Sequence, residues 1–168
     1  MQNARHEGFA PVADENAKVL VLGTFPGLAS RQAAQYYGNA RNQFWRIVYA
    51  AFGAEYQSPA YAQKLAFLLK NGMALWDMVQ SCETNGSLDT EIKAPKLVDL
   101  PAFLQKHPRI TLICYNGGNA ARYGKRLGEL PVKSVVLPST SPANARYSFE
   151  SKLSIWSMAL RPPGELEK

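Results

Sequence analysis

An α/β fold is predicted, with a central, mainly parallel four-stranded sheet and helices on both faces, and three observations carry it. Four short, largely apolar runs recur along the chain, at residues 17–23 (AKVLVLG), 73–77 (MALWD), 110–115 (ITLICY) and 133–137 (KSVVL). Their length and their lack of polar alternation suit strands covered on both faces. Between them lie stretches with helical start and stop signals, and strands alternating with helices build parallel sheets. A chain of 168 residues is long enough for one such core.

Residues 1–16 are polar and broken by Gly8 and Pro11, so they read as a flexible lead-in before a single domain over residues 17–168. The first strand stops at Gly23. Residues 30–35 form a short helical segment with Ser30 as its cap. From Asn42 the residues Phe44, Trp45, Ile47, Val48, Ala51 and Phe52 fall at helical spacing, and Gly53 ends the helix. Ser58-Pro59 opens another helix, which runs to Lys70 and is closed by Asn71-Gly72. After the second strand, residues 79–91 are a polar excursion with a turn at Asn85-Gly86-Ser87 and a loop acid, Asp89. Helices over 97–106 and 117–127 flank the third strand. A final helix over 147–160 turns Phe149, Leu153, Ile155, Trp156 and Leu160 inward.

Composition narrows the function classes. Hydrophobic residues at 46% and charged residues at 19% exclude general disorder. No apolar run could cross a bilayer, and residues 1–16 lack a signal-peptide core, so a soluble, intracellular protein is expected. The two cysteines, Cys82 and Cys114, supply neither a disulfide scaffold nor a tetrathiolate site, and His6 and His107 have no metal-ligand partners at useful spacing. No zinc site is therefore expected. The net charge of +6 and pI near 9.4 give a mild attraction to polyanions, which admits nucleic acid as a partner without requiring it.

In parallel sheets the ligand crevice lies beyond the carboxyl ends of the strands. Those ends lead into Gly23-Thr24-Phe25-Pro26-Gly27, Trp76-Asp77, Asn116-Gly117-Gly118-Asn119 and Pro138-Ser139-Thr140-Ser141-Pro142-Ala143-Asn144. The first turn brings main chain close to a ligand, or is only a strand-to-loop turn. It is no phosphate loop, since neither glycine-rich phosphate motif is present. Asn42 holds a water through its carbonyl oxygen or merely caps a helix; Phe44 offers a ring face to a planar base or belongs to the core. Asn116 has a donor and an acceptor with which to read a base edge, or forms an ordinary Asn-Gly turn. Asp77 is a base or a buried anchor. The hydroxyls and amides of the last loop, with Arg146 behind, hold phosphates or form a helix entrance.

In this order, GTFPG, YYGNARNQFW, LICYNGGNAA and LPSTSPANARYS resemble the motifs of the uracil-DNA glycosylase superfamily. ALWDMVQSC and NGSLDTEI are similar to its hypoxanthine-DNA (deoxyinosine) glycosylase branch, and NQFW and PSTSPA also to the mismatch-specific uracil and thymine glycosylases. The likeness spans residues 18–160. It implies a three-layer αβα sandwich, working as a monomer without metal or cofactor. Its partner is double- or single-stranded DNA containing a deaminated base, which places it at the nucleoid. There it flips out hypoxanthine, or uracil, and hydrolyses the N-glycosidic bond. The alternatives are a mismatch-specific uracil/thymine glycosylase or a non-catalytic DNA- or nucleotide-binding relative.

The best-known uracil enzymes carry an aspartate in the first motif and a histidine in the last; here those motifs hold Thr24-Phe25 and Leu137-Pro138-Ser139. In the hypoxanthine branch the asparagine of N-x-F-W is the implied substitute, which carries over to Asn42. The resemblance then gives Asn42 the water and Phe44 the stacking face. Gly23, Thr24, Phe25 and Asn116 bind the base. Pro26, Gly27, Ser139, Thr140, Ser141, Pro142, Ala143, Asn144 and Arg146 hold DNA, with Pro142 and Ala143 as wedge candidates.

Overall fold

A computed structural model of the chain describes residues 4–85 and 92–161. The elements are β1 (Arg5–Glu7), β2 (Val19–Gly23), α1 (Leu28–Ala33), α2 (Phe44–Ala51), α3 (Tyr61–Lys70), β3 (Met73–Asp77) and β4 (Val79–Glu83). They continue with β5 (Lys93–Leu97), α4 (Leu100–Lys106), β6 (Leu112–Asn116), α5 (Gly118–Lys125), β7 (Lys133–Leu137) and α6 (Phe149–Leu160).

Strands β3, β2, β6 and β7 form one sheet in that order, and every neighbouring pair is parallel. Successive side chains of a strand point to opposite faces, so each strand feeds two cores. Val21, Met73, Leu75 and Cys114 pack with α2, α3 and α6 through Phe44, Ile47, Val48, Leu68, Trp156 and Leu160. Leu20, Leu22, Ala74, Ile113 and Tyr115 pack on the other face with α4 and α5 through Leu100, Phe103, Leu104, Ala120 and Ala121. The expected three layers follow, and all four predicted strands are present. Burial pushes the Cys114 thiol up to about 12, which leaves it a core residue rather than a nucleophile.

Several readings of the sequence need correction. Residues 79–91 are not only a polar excursion: β4 pairs antiparallel with β1 and with β5, making a second, three-stranded sheet. Gly86, Ser87 and Asp89 lie outside the described residues. The pattern of β5 (KAPKL) is too polar and proline-broken to register as a strand. Residues 4–16, read as flexible, are tied down: Arg5 pairs with Glu83, the amide and carbonyl of Val12 bond Leu75 at 2.9 and 2.8 Å, and the Tyr36 hydroxyl donates to Ala10 O at 2.8 Å. The segment covers the edge of β3, which would otherwise present bare main chain.

Ser30 does not cap α1, whose N-cap is Gly27; its hydroxyl is turned inward and accepts from Gly38 N at 3.0 Å. On α6 the inward line is Lys152, Trp156 and Leu160, at i, i+4 and i+8, while Ile155 faces out at 38% exposure. Asp99 caps α4 by accepting from Ala102 N. No helix among the described residues is long and apolar enough to cross a membrane.

Candidate active site

The carboxyl ends of β2 and β6 are adjacent, yet the chain leaves β2 toward β3 on one side and leaves β6 toward β7 on the other. This is a topological switch point, where parallel sheets open a crevice. A cavity of about 670 Å³ lies there, within the usual size of small-molecule sites. Its walls come from the turn Gly23–Gly27, from Tyr37, Asn39 and Asn42, from Asp77 and Asn116, and from the loop Ser139–Asn144. The four strand ends expected to converge do so.

The turn after β2 is fixed from below. Gly23 O accepts from Met78 N at 2.8 Å, Thr24 O from Val79 N at 3.0 Å, and Pro26 O from the Arg31 guanidinium at 2.8 Å. With those carbonyls engaged, the turn's offer to a ligand is weighted toward N–H donors. A Cβ at Gly23 would lie 2.5 Å from Asp77 Oδ1 and 3.2 Å from the Tyr37 hydroxyl, both inside van der Waals contact. Only glycine lets the carboxylate and the phenol approach the same backbone point. Gly23→Ala is expected to lower the activity of the site about tenfold by displacing these two groups; a wild-type rate in a folded Gly23→Ala protein would show that their placement is irrelevant.

Asn42 is half-buried and lines the cavity just before α2. Its Oδ1 accepts the Phe44 amide at 2.9 Å, so it caps the helix, and the second lone pair of that oxygen remains for a ligand or water. The helix-capping alternative is thus observed, and the same atom keeps the capacity for the other.

Phe44 requires a correction. It is completely buried in the core, and the Tyr37 ring lies over it at 4.0 Å and 26°. Phe44 packs edge-on against Trp45 and Trp156 and does not line the cavity. The cavity is lined instead by Phe25, Tyr36 and Tyr37, and the ring stacked on Phe44 is Tyr37, held in a left-handed conformation with φ of 56° that is costly for a bulky residue. Its place five residues before Asn42, in the aromatic pair ahead of Gly38, was the available signal.

Asn116 is committed to neighbours. Its Oδ1 accepts Thr140 N at 3.0 Å, and its Nδ2 donates to Thr140 Oγ1 at 3.0 Å and Tyr37 Oη at 3.1 Å. Both donors are used, which leaves only an Oδ1 lone pair for a base. Thr140 is correspondingly buried at 0% exposure, so its hydroxyl serves the interior rather than a phosphate. In the same loop Ser139 Oγ accepts Ser141 N, Ser141 Oγ accepts Ala143 N, and Asn144 Nδ2 donates to Ser139 O. Pro142 and Ala143 are exposed at its tip. Arg146 is exposed outside the cavity lining, 5.9 Å over the Tyr147 ring.

Asp77 is 6% exposed and is the one carboxylate among the described lining residues. Burial raises the Tyr36 hydroxyl above the usual phenol range, and the nearby Asp77 charge adds to this, so Tyr36 stays protonated.

The model of the uracil DNA glycosylase superfamily matches residues 10–159. The chain belongs to the uracil DNA glycosylase superfamily. Its similarity extends to a protein of Methanosarcina acetivorans described as a hypoxanthine DNA glycosylase, 38% identical over 92% of this chain and 97% of that one. A Methanosarcina barkeri protein of the same description is 34% identical over 94% and 99% of the two chains. A solution structure from Methanosarcina acetivorans, of a protein proposed to be a uracil DNA glycosylase, superposes with a TM-score of 0.83 at 37% identity, covering 94% and 98%. Within this superfamily member, the turn after β2, the start of α2, the end of β6 and the loop before α6 are the segments that enclose the cavity.

Proposed function

We propose that the chain is a DNA glycosylase that takes a deaminated base out of the stack and hydrolyses its N-glycosidic bond, with hypoxanthine as first substrate and uracil as second. One observation carries the reading. The cavity at the β2/β6 switch point joins a side-chain amide, Asn42, to an aromatic wall that includes Tyr37 and to a main-chain turn. The relatives described as hypoxanthine DNA glycosylases direct the substrate choice.

In this reading the flipped base stacks on Tyr37, and the Thr24 and Phe25 amides face its polar edge. Asn42 Oδ1 orients a water toward C1′. The sugar develops oxocarbenium character as the N-glycosidic electron pair leaves with the base. The water oxygen then forms the new C1′–O bond, and its proton ends on the departing base. A neutral amide suffices because position, rather than basicity, is what the attack needs. Pro142 and Ala143, exposed on a loop braced by its own hydroxyls, fill the vacated stack, and Arg146 meets phosphate. Asp77 supports a second reading, in which its carboxylate orients the water, because it is buried at the same cavity.

The test is incubation with labelled duplexes carrying one inosine or one uracil, followed by alkaline cleavage of abasic sites. Scission at inosine is expected. No scission with either substrate overturns the proposal, and salt-dependent binding alone would leave a non-catalytic DNA binder.

A further inference from the structure

The steps above make no use of Lys152, although its placement is unusual. It is 2% exposed on the inward line of α6, one turn ahead of the core residue Trp156. Its Nζ donates to Gln43 Oε1 at 3.0 Å and to Asn144 O at 2.9 Å. Both acceptors are neutral. Burying an ammonium with no carboxylate beside it among the described residues is costly, and an apolar residue would continue the Trp156 and Leu160 face without that cost. Packing alone therefore does not account for a lysine here. The acceptors themselves are informative: Gln43 follows Asn42 directly, and Asn144 closes the loop that carries Pro142 and Ala143. Gln43 N also donates to Thr140 O at 3.0 Å, so the start of α2 and this loop are joined on both sides of the lysine contact.

We propose that Lys152 is a positioning residue for base excision: bridging Gln43 Oε1 and Asn144 O, its ammonium fixes the DNA-facing loop relative to Asn42. It touches no substrate atom. A flipped nucleotide is gripped by the loop on one side and met by the Asn42 water on the other, and Lys152 sets the spacing between them. Burial lowers its pKa, which agrees with a desolvated ammonium held by these two neutral acceptors. The kinetic part of this inference rests on the glycosylase reading, while the structural part does not.

The experiment compares Lys152→Met, Gln43→Leu and Gln43→Glu with the unmutated protein. Gln43→Leu breaks the same bridge from a half-buried position if Lys152→Met fails to fold, and Gln43→Glu keeps an acceptor for the ammonium. In the free protein, amide hydrogen exchange of Gln43 and Asn144 is expected to quicken about tenfold in the first two variants and to return toward the original rate in Gln43→Glu. Single-turnover excision of inosine at saturating enzyme is expected to fall about tenfold in the first two. The dependence of DNA affinity on salt should stay unchanged, because no phosphate contact is removed. Unaltered exchange in Lys152→Met and Gln43→Leu overturns the bridge. An unaltered saturating rate with a shallower salt slope overturns positioning and makes Lys152 a phosphate contact. If the unmutated protein excises neither inosine nor uracil, the glycosylase reading fails by itself and the exchange data still decide the bridge.

Discussion

Replacing Asn42 by alanine is expected to slow single-turnover excision about 100-fold, the loss typical of removing one well-placed polar group. Affinity for DNA should hardly change, since the side chain makes no phosphate contact in the proposed mechanism. The substitution also removes the cap on α2, because Asn42 Oδ1 accepts the Phe44 amide at 2.9 Å. A lost cap costs about 1 kcal/mol, or about 2–4 °C of melting temperature in a domain of this size. Stability and rate must therefore be read together. Asn42→Asp separates the two roles: its carboxylate still caps the helix and still offers an oxygen to water, so melting should match the original and much of the rate should return. Full activity in Asn42→Ala would place the water elsewhere. Asp77→Asn would then be the variant to lose activity.

Asn116→Ala is expected to destabilise the protein by about 2–4 kcal/mol, measured by chemical denaturation. Three hydrogen bonds go at once, and the Thr140 amide is left buried beside a residue that offers it nothing. Leaving one such donor without an acceptor costs about 1–3 kcal/mol by itself. Excision should fall at least about tenfold, since Tyr37 and the 139–144 loop lose their common anchor. Asn116→Asp is the control. Its oxygens can accept the Thr140 amide and, with rotation of two hydroxyls, the Tyr37 and Thr140 O–H groups, so most of the stability should remain. An Asn116→Ala protein as stable as the original would show that the anchor carries no weight.

The parallel sheet was readable because its strands are buried on both faces and so appear as unbroken apolar runs, as in VLVLG and LICYN. The small antiparallel sheet was not, because KAPKL at one edge is polar, half-exposed and interrupted by Pro95, and RHE at the other edge is only three residues long. The segments forming the site were readable because topology alone sends four strand ends to one rim. Their individual duties were less so. Phe44 and Tyr37 are both aromatic neighbours of Asn42 in sequence, and only the left-handed turn at Tyr37 decides which ring is outermost. Asn116 and Thr140 answer each other across 24 positions, a pairing that no local pattern encodes. Lys152 was legible in principle, since its spacing to Trp156 and Leu160 is helical, but charge argued against placing it inside.

Thr140 has a consequence for how such a protein surveys a genome. Its main-chain carbonyl holds Gln43, while its amide and hydroxyl hold Asn116, so three separate segments meet at one residue that solvent does not reach. A slot braced this way gains nothing from waiting for its own parts to close. In the glycosylase reading the tempo of inspection is then expected to belong to the DNA, with a lesion found as fast as its weakened pair opens.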